Sequence, residues 1–196
     1  MRRFRQICPE RSQKNMEIRP IAYIHNDYKE KFGIPKQAGL AKEAVSLVVM
    51  DPEYSVAEAF RGIEGYSRLW LIWEFSGFTR KKWSPTIRPP VLGGNKRVGV
   101  FATRSPHRPN SLAMSCVEFD GLEKTQDGRI ALRVRGADIM DGTPVYDIKP
   151  YLPYADSWPE AQVAFDDGKD PKRLQVDFEP PELALIIIIM KKMKAD

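Results

Sequence analysis

The sequence predicts a mainly β protein, built on an antiparallel sheet or a closed barrel and carrying a short helix and a C-terminal extension. Short runs rich in β-branched and aromatic residues recur through the middle of the chain, and glycine or proline separates them. These runs do not alternate with the long helical patterns of βαβ units, which disfavours a parallel sheet. The chain has 196 residues, of which 42% are hydrophobic and 29% charged, as expected for one folded domain with an appendage.

The predicted strands lie between residues 17 and 156, which we interpret as one compact unit. They are Ile18–His25, Val45–Met50, Leu69–Phe75, Val98–Thr103, Leu112–Phe119, Ile130–Val134 and Val145–Ile148. All have four to eight residues, the usual length of strands in globular proteins. The third contains two tryptophans among aliphatic residues, and we expect it to be buried on both faces.

One short helix is predicted between the second and third strands. The stretch Ser55-Val-Ala-Glu58 has the capping-box pattern, in which the serine and the glutamate each bond the other's backbone amide. Ala59 and Phe60 continue the helix, and Gly62 is a residue at which it can end. We therefore expect a helix whose first turn is capped by Ser55.

The two ends of the chain differ in composition from its middle. Residues 1–16 are basic and polar and lack the apolar region of a secretory signal, which predicts a flexible leader. Residues 157–196 are predicted to be a linker followed by a truncated C-terminal extension. The apolar run in that extension, Leu183–Met190, has eight residues and is too short to span a bilayer.

The composition favours an anionic partner and disfavours a metal site. The formal net charge is +5, which favours a polyanion such as a nucleic acid. Cys8 and Cys116 are far apart in sequence, and we interpret both as reduced thiols of a cytoplasmic protein. With two histidines and no closely spaced cysteine or histidine pairs, we expect no metal.

The first motif with chemical potential is a stiff loop, Gly99-Val-Phe-Ala-Thr-Arg-Ser-Pro-His-Arg-Pro-Asn110. Its two prolines restrict both their own backbone and that of the residues before them. Arg104 and Arg108 are thereby held in place, and two preorganised guanidinium groups suit a carboxylate or a phosphate. A structural loop whose arginines pair with nearby acids is the alternative.

The second motif is acidic, Gly136-Ala-Asp-Ile-Met-Asp-Gly-Thr-Pro-Val-Tyr-Asp-Ile-Lys-Pro-Tyr151. Asp141-Gly142 within it predicts a tight turn between two strands. Acids at such a turn, here Asp138 and Asp141, can accept ligand hydroxyls or amines, or act as a base. Alternatively, they bond the backbone amides of the turn itself.

Two further loops, at residues 28–40 and 83–97, are basic and rich in proline and glycine. Basic loops with aromatic residues can follow an RNA backbone, although a solvated loop has the same composition. The cations predicted to contact RNA are Lys29, Lys31, Lys36, Arg88, Lys96, Arg97 and Arg104.

Common nucleotide and nucleophile motifs are absent from the sequence. No Gly-x-Gly-x-x-Gly follows a predicted strand, and neither a Walker A motif nor a Gly-x-Ser-x-Gly elbow occurs. A Rossmann cofactor site is therefore disfavoured. Residue patterns by themselves indicate a basic, β-rich ligand-binding protein.

Taken together, segments from Ile18 through Asp156 resemble the TsaA-like (TrmO) family of methyltransferases. The resemblance rests on the two long motifs and on residues 20–24, 29–35, 61–67, 88–90 and 92–95. It implies a small β-barrel that binds S-adenosylmethionine without a Rossmann sheet, and a homodimer. It also implies a tRNA substrate, because bacterial members methylate N6 of N6-threonylcarbamoyladenosine at position 37, beside the anticodon.

The resemblance also implies which residues contact the cofactor. They are Ala38, Gly39, Leu40, Ser76, Gly77, Arg108, Asp138, Asp141, Gly142 and Thr143. Arg108 is expected to hold the methionyl carboxylate, and an acid to hold the ribose or the ammonium group. Because the acceptor nitrogen must lose a proton, Asp138 or Asp141 is the predicted base.

Three functions stay open at this point. The leading one is a tRNA methyltransferase, the second is a cofactor- or RNA-binding module without turnover, and the third is a methyltransferase with a different acceptor. Longer bacterial members carry a further C-terminal domain, so we expect this chain to make few phosphate contacts and to bind tRNA modestly.

Overall fold

A computed structural model describes residues 16–77 and 83–164. All the strands below lie in the first of two units of the chain, which ends at Glu160. The predicted leader, except for Met16, and residues 165–196 of the predicted extension lie outside the described residues. No helix within 16–77 and 83–164 is long and apolar enough to cross a membrane.

Within the described residues, six strands form a closed antiparallel barrel in the order β1-β2-β7-β6-β3-β8, and two short strands pair separately. The strands are β1 Ala22–His25, β2 Val45–Met50, β3 Arg68–Glu74, β4 Thr86–Ile87, β5 Val98–Gly99, β6 Leu112–Lys124, β7 Ile130–Arg135 and β8 Pro144–Pro150. Closure pairs every barrel strand on both sides, so that the barrel has no free edge. The predicted mainly β fold is confirmed.

The helices of the described residues are short. Five are 3₁₀ turns, at Pro52–Tyr54, Ala57–Phe60, Ile63–Gly65, Pro90–Leu92 and Val100–Ala102, and one is an α-helical turn, α1, at Pro153–Asp156. The helix predicted at Ser55 is thus wrong in kind. Ser55 makes no capping box there, because its Oγ accepts a hydrogen bond from the Ile130 amide at 2.8 Å. A tertiary contact to β7 has displaced the local cap.

Side chains that alternate along the strands fill the barrel. On β3, Leu69, Leu71 and Trp73 are buried, whereas the residues between them are partly exposed. The expectation that this strand is buried on both faces is therefore wrong, since a barrel strand has one inner and one outer face. The core also includes Ile24, Val48, Val117, Leu132, Val134 and Val145.

Several strand boundaries differ from the prediction. β1 begins at Ala22 rather than Ile18, and β6 continues beyond Phe119 across a register shift to Lys124. The strand predicted to reach Thr103 ends at Gly99, where the chain enters a 3₁₀ turn around the buried Val100. This short strand, β5, pairs with the unpredicted β4. The first motif is therefore mostly turn and loop.

The tight turn predicted at Asp141-Gly142 lies between β7 and β8. The Thr143 amide donates to the Met140 carbonyl at 3.2 Å, and Gly142 has a φ of 73°, which favours glycine. The Gly142 amide also donates to the Ile24 carbonyl at 2.8 Å, which ties the turn to β1. These bonds position the acidic motif against the barrel.

Candidate functional site

A cavity of about 690 Å³ lies between the barrel and its basic loops. It is lined by parts of β3 and β6, by the turn before β8, and by the loops around residues 31–37 and 103–108. The apolar part of the lining includes Ile34, Phe75, Leu112 and Met140. A concave, mostly apolar site of this size with a few polar groups is typical of small-molecule binding.

Cationic side chains outnumber acidic ones in the described cavity lining. Its described lining includes four cations, Lys31, Lys36, Arg104 and Arg108, and one acid, Asp138. A ligand that carries a carboxylate or a phosphate is therefore favoured. Among the described lining residues, Asp138 is also the one carboxylate that can accept a proton from a bound molecule.

Two hydrogen bonds in series hold Asp138. Trp73 Nε1 donates to Ser115 Oγ at 2.9 Å, and Ser115 Oγ donates to Asp138 Oδ1 at 2.5 Å. Because an indole nitrogen is only a donor, the serine oxygen must accept from Trp73 and direct its own proton to the carboxylate. Trp73 and Ser115 are buried, so packing holds both partners in place.

Burial raises the pKa of the Asp138 carboxyl. Hydrogen bonds from Ser115 and from the backbone amides of Asp138 and Ala38, together with the charge of Arg104, act against this rise without cancelling it. A raised pKa makes a carboxylate a stronger proton acceptor and is characteristic of general bases.

Asp141 lies outside the cavity lining. Its Oδ2 is 2.8 Å from Lys29 Nζ, and its Oδ1 accepts a hydrogen bond from the Asn26 amide at 2.9 Å. Desolvation acts to raise its pKa, but the bonds from Lys29 and Asn26 and the charges of Lys29 and His25 outweigh it, and the pKa is lowered. This geometry favours a structural role for Asp141 over the predicted base role.

Both arginines of the first motif line the cavity, and both also bond the protein. Arg108 Nη1 donates to the carbonyls of Thr103 at 2.5 Å and Val100 at 3.2 Å, and Arg104 Nη1 donates to Gln37 Oε1 at 2.7 Å. Each bond uses Nη1, and a guanidinium has further N–H donors with which to bind a ligand. Both guanidinium groups are therefore held at the cavity by hydrogen bonds to the protein.

Three other predicted cofactor residues line the cavity, namely Ser76, Gly77 and Thr143. The hydroxyls of Ser76 and Thr143 lie 3.1 Å apart and share a hydrogen bond. A Cβ at Gly77 would lie 3.1 Å from Met140 Cε, so a larger residue would displace the methionine. A side chain at this position would thus require a small movement of Met140 in the cavity wall.

The remaining predicted cofactor residues, Ala38, Gly39, Leu40 and Gly142, are not part of the lining. The Gly39 amide donates to the Gly136 carbonyl at 2.8 Å, and a Cβ on Gly136 would lie only 3.3 Å from Gly39 Cα. The two glycines let the loop pack against the acidic motif. The Ala38 amide bonds the Asp138 carboxylate, so this segment contributes to the site through the backbone.

The cations predicted to contact RNA fall into three groups. Those in the cavity lining are Lys31, Lys36 and Arg104; Lys29 pairs with Asp141; and Arg88, Lys96 and Arg97 are exposed around the β4–β5 pair. The third group lies outside the cavity lining and is exposed to solvent. Within the part of the chain that the structure describes, no cluster of His, Cys, Asp or Glu could hold a metal ion.

Trp73 and Ser115 are site residues that the sequence did not reveal. Trp73 pairs with Ala113 across β3 and β6, which makes Ser115 its diagonal neighbour on the same face. The available signal was a serine inside the apolar run Leu112–Phe119, where a buried hydroxyl requires a partner. The identity of that partner depends on strand register.

Comparisons with known proteins all indicate the same family. Residues 23–157 match the model described as the tRNA-methyltransferase O N-terminal domain. The tRNA (adenine(37)-N6)-methyltransferase of Escherichia coli (strain K12) is 42% identical over 84% of this chain and 69% of its own length. A Pseudomonas aeruginosa relative, named as an S-adenosylmethionine-dependent methyltransferase, is 46% identical over 77% of this chain and 61% of its own length.

A solved structure shows the same architecture. The crystal structure of TrmO from Pseudomonas aeruginosa superposes with a TM-score of 0.64 at 36% identity, and the match covers 80% of this chain and 65% of that one. The chain therefore spans between about three fifths and just over two thirds of the length of these bacterial proteins.

Proposed function

We propose a methyl-transfer function for this chain, which belongs to the family of the tRNA-methyltransferase O N-terminal domain. The reaction is transfer of a methyl group from S-adenosylmethionine to N6 of the adenosine at position 37 of a tRNA. The acceptor implied by the family resemblance is N6-threonylcarbamoyladenosine. The observation that carries the proposal is Asp138, one acid with a raised pKa in a cavity lined by cations and apolar side chains.

The residues of the cavity fit S-adenosylmethionine, whose sulfonium supplies an activated methyl group. Arg108 can bind the methionyl carboxylate through a charge-assisted hydrogen bond. The hydroxyls of Ser76 and Thr143 suit ribose hydroxyls, and the apolar wall around Phe75 and Met140 suits a purine ring. These assignments use residues from three separate segments, all of which the fold brings to one cavity.

Asp138 is the proposed base. The transfer forms a bond between N6 and the methyl carbon, breaks the bond between that carbon and sulfur, and releases the N6 proton. This nitrogen lies between a purine and a carbonyl and is weakly nucleophilic, so a positioned proton acceptor accelerates the step. The Asp138 carboxylate takes the proton, and the hydrogen bond from Ser115 fixes the orientation of the carboxylate.

The main test is methyl transfer by the purified chain to tRNA that carries N6-threonylcarbamoyladenosine, with the nucleosides analysed by mass spectrometry. Gain of one methyl group on that nucleoside supports the proposal. Transfer to another nucleoside or molecule selects a different acceptor. Binding of S-adenosylmethionine with no transfer to any tRNA selects the binding module without turnover.

We extend the proposal to a homodimer in the cytoplasm, where tRNA is available. Leu112 and Met114 are exposed on β6 and belong to the cavity lining, and a second copy of the chain would cover this apolar surface. The mass in solution of the wild type and of Met114→Lys tests the assembly. A dimeric wild type and a monomeric variant are expected, and a wild type that is monomeric at all concentrations would contradict it.

A further inference from the structure

Two exposed aromatic rings lie beside the cavity and take no part in the chemistry above. Trp83 is 50% exposed and Phe101 is 69% exposed, although large aromatic side chains are usually well buried. Their rings stack, with centroids 6.4 Å apart and planes inclined by 24°. We refer to Trp83 and Phe101 as the aromatic shelf.

Backbone hydrogen bonds hold the two segments that carry the shelf. The Val100 amide donates to the Pro85 carbonyl at 3.0 Å, and the Ser84 amide donates to the His107 carbonyl at 3.1 Å. β4 and β5 add a short antiparallel pair next to these bonds. Because the backbone under both rings is already ordered, a ligand on the shelf loses little binding energy to ordering the protein.

Arg108 connects the shelf to the cavity. Its guanidinium carbon lies 5.5 Å from the centroid of the Phe101 ring, and the same side chain lines the cavity. Thr103 and Arg104, which follow Phe101 closely in sequence, also line it. A group on the shelf would therefore be a neighbour of a group in the cavity.

The region around the shelf is strongly basic. Between Glu74 and Glu118 the sequence contains eight Lys and Arg residues and no Asp or Glu. Arg88 and Arg97 flank the paired Ile87 and Val98, and both are exposed, as is Lys96. The exposed Arg88, Lys96 and Arg97 are complementary to the phosphates of a nucleic acid.

We propose that the aromatic shelf stacks an unpaired base of RNA, while Arg88, Lys96 and Arg97 neutralise adjoining phosphates. The inference rests on the proposed function in one respect, that the RNA is the tRNA whose target base enters the cavity. Aromatic rings within a basic groove are the usual means of binding single-stranded RNA, since every base has a face that can stack. The surplus of cations over acids in this stretch of sequence favours a polyanion over a protein partner.

Binding of a labelled anticodon stem-loop RNA to Trp83 variants tests the shelf. Trp83→Ala should weaken binding by about tenfold through loss of a stacked base. Trp83→Phe should retain most of the affinity, and Trp83→Leu should bind as weakly as the alanine variant, because leucine is apolar but cannot stack. Trp158→Ala is the matched control, since Trp158 is 68% exposed, and it should bind as the wild type does.

A stem-loop whose loop nucleotides lack bases separates stacking from contact with the sugar and phosphate. Trp83→Ala and the wild type should bind this RNA equally. The two proteins should also share one salt dependence for the intact stem-loop, whereas Arg97→Ala should lower the slope by about one phosphate contact.

Equal affinity of Trp83→Ala and the wild type for the intact stem-loop would overturn the shelf, as would an equal loss on the RNA without bases or a wild type that binds no RNA. Failure of the proposed function has a different signature. In that case RNA binding depends on Trp83 while the wild type transfers no methyl group. Unchanged binding of S-adenosylmethionine by Trp83→Ala, measured by calorimetry, shows that the variant is folded.

Discussion

Asp138 and Asp141 stand three residues apart on one connection between β7 and β8, and they lie in opposite electrostatic environments. Asp138 lines the cavity, accepts a hydrogen bond from the buried Ser115, and has its pKa raised by burial. Asp141 lies outside, is bonded to Lys29 and the Asn26 amide, and has a lowered pKa. Burial and partners, rather than residue type or place in a motif, move the pKa values of these two carboxyls in opposite directions.

The largest expected effect is that of Asp138→Asn. Asparagine keeps the shape and still accepts the Ser115 hydrogen bond, but it cannot take a proton, so methyl transfer should fall by about 10²- to 10⁴-fold. Single-turnover transfer from labelled S-adenosylmethionine to tRNA measures the loss. A rate within a few-fold of the wild type would show that Asp138 is not the base.

The stability of the same variant sharpens the comparison. Because the pKa of Asp138 is raised by folding, its stabilising contribution is present below the unfolded-state pKa and is lost as the pH rises through the folded-state value. The melting temperature of Asp138→Asn at neutral pH should therefore be no lower than that of the wild type. A clear drop in melting temperature would indicate that the carboxylate is structural.

A smaller effect is expected of Ser115→Ala. The variant removes a hydrogen bond that favours the ionised carboxylate, so the acidic limb of the pH–rate profile should move to higher pH. The rate at neutral pH should fall by about tenfold. Ser46→Ala is the matched control, because Ser46 is also a buried strand serine, bonded to Asn26 rather than to the cavity acid. If the acidic limb of the pH–rate profile did not move in Ser115→Ala, Ser115 would not orient Asp138.

The smallest effect on activity is expected of Asp141→Asn, which should transfer methyl groups at nearly the wild-type rate. Its effect is on stability. Because the pKa of Asp141 is lowered by folding, the wild type gains stability above the unfolded-state pKa and loses it as the pH falls through the folded-state value. The melting temperature of the variant should be lower than that of the wild type at neutral pH. At acidic pH the two melting temperatures should be equal. A rate loss equal to that of Asp138→Asn would place both acids in the reaction.

Most of the fold could be predicted, because strand patterns are local. The bounds of β2, Val45–Met50, agree with the prediction, and Val48 and Met50 of this run belong to the core. The helix predicted after Ser55 is a 3₁₀ turn without the expected cap, and the Ser55 hydroxyl instead accepts a hydrogen bond from the Ile130 amide, on a strand distant in sequence. A capping pattern of four residues contains no information about such a long-range contact.

The candidate site could be predicted in part. Arg104 and Arg108 could be chosen as candidate ligand-binding residues because prolines stiffen their loop. Both line the cavity. Asp138 could not be told from Asp141, because burial depends on which residues the barrel brings against the turn. Trp73 and Ser115 were missed because their contact depends on the register of β3 against β6.

The most direct test of the account is a carboxyl ¹³C NMR titration of Asp138 and Asp141 in the same wild-type sample. The pKa of Asp138 should lie above the ordinary aspartate value and that of Asp141 below it, and Ser115→Ala should raise only the pKa of Asp138 further. Both carboxyls titrating together near the ordinary value, or in the opposite order, would contradict it.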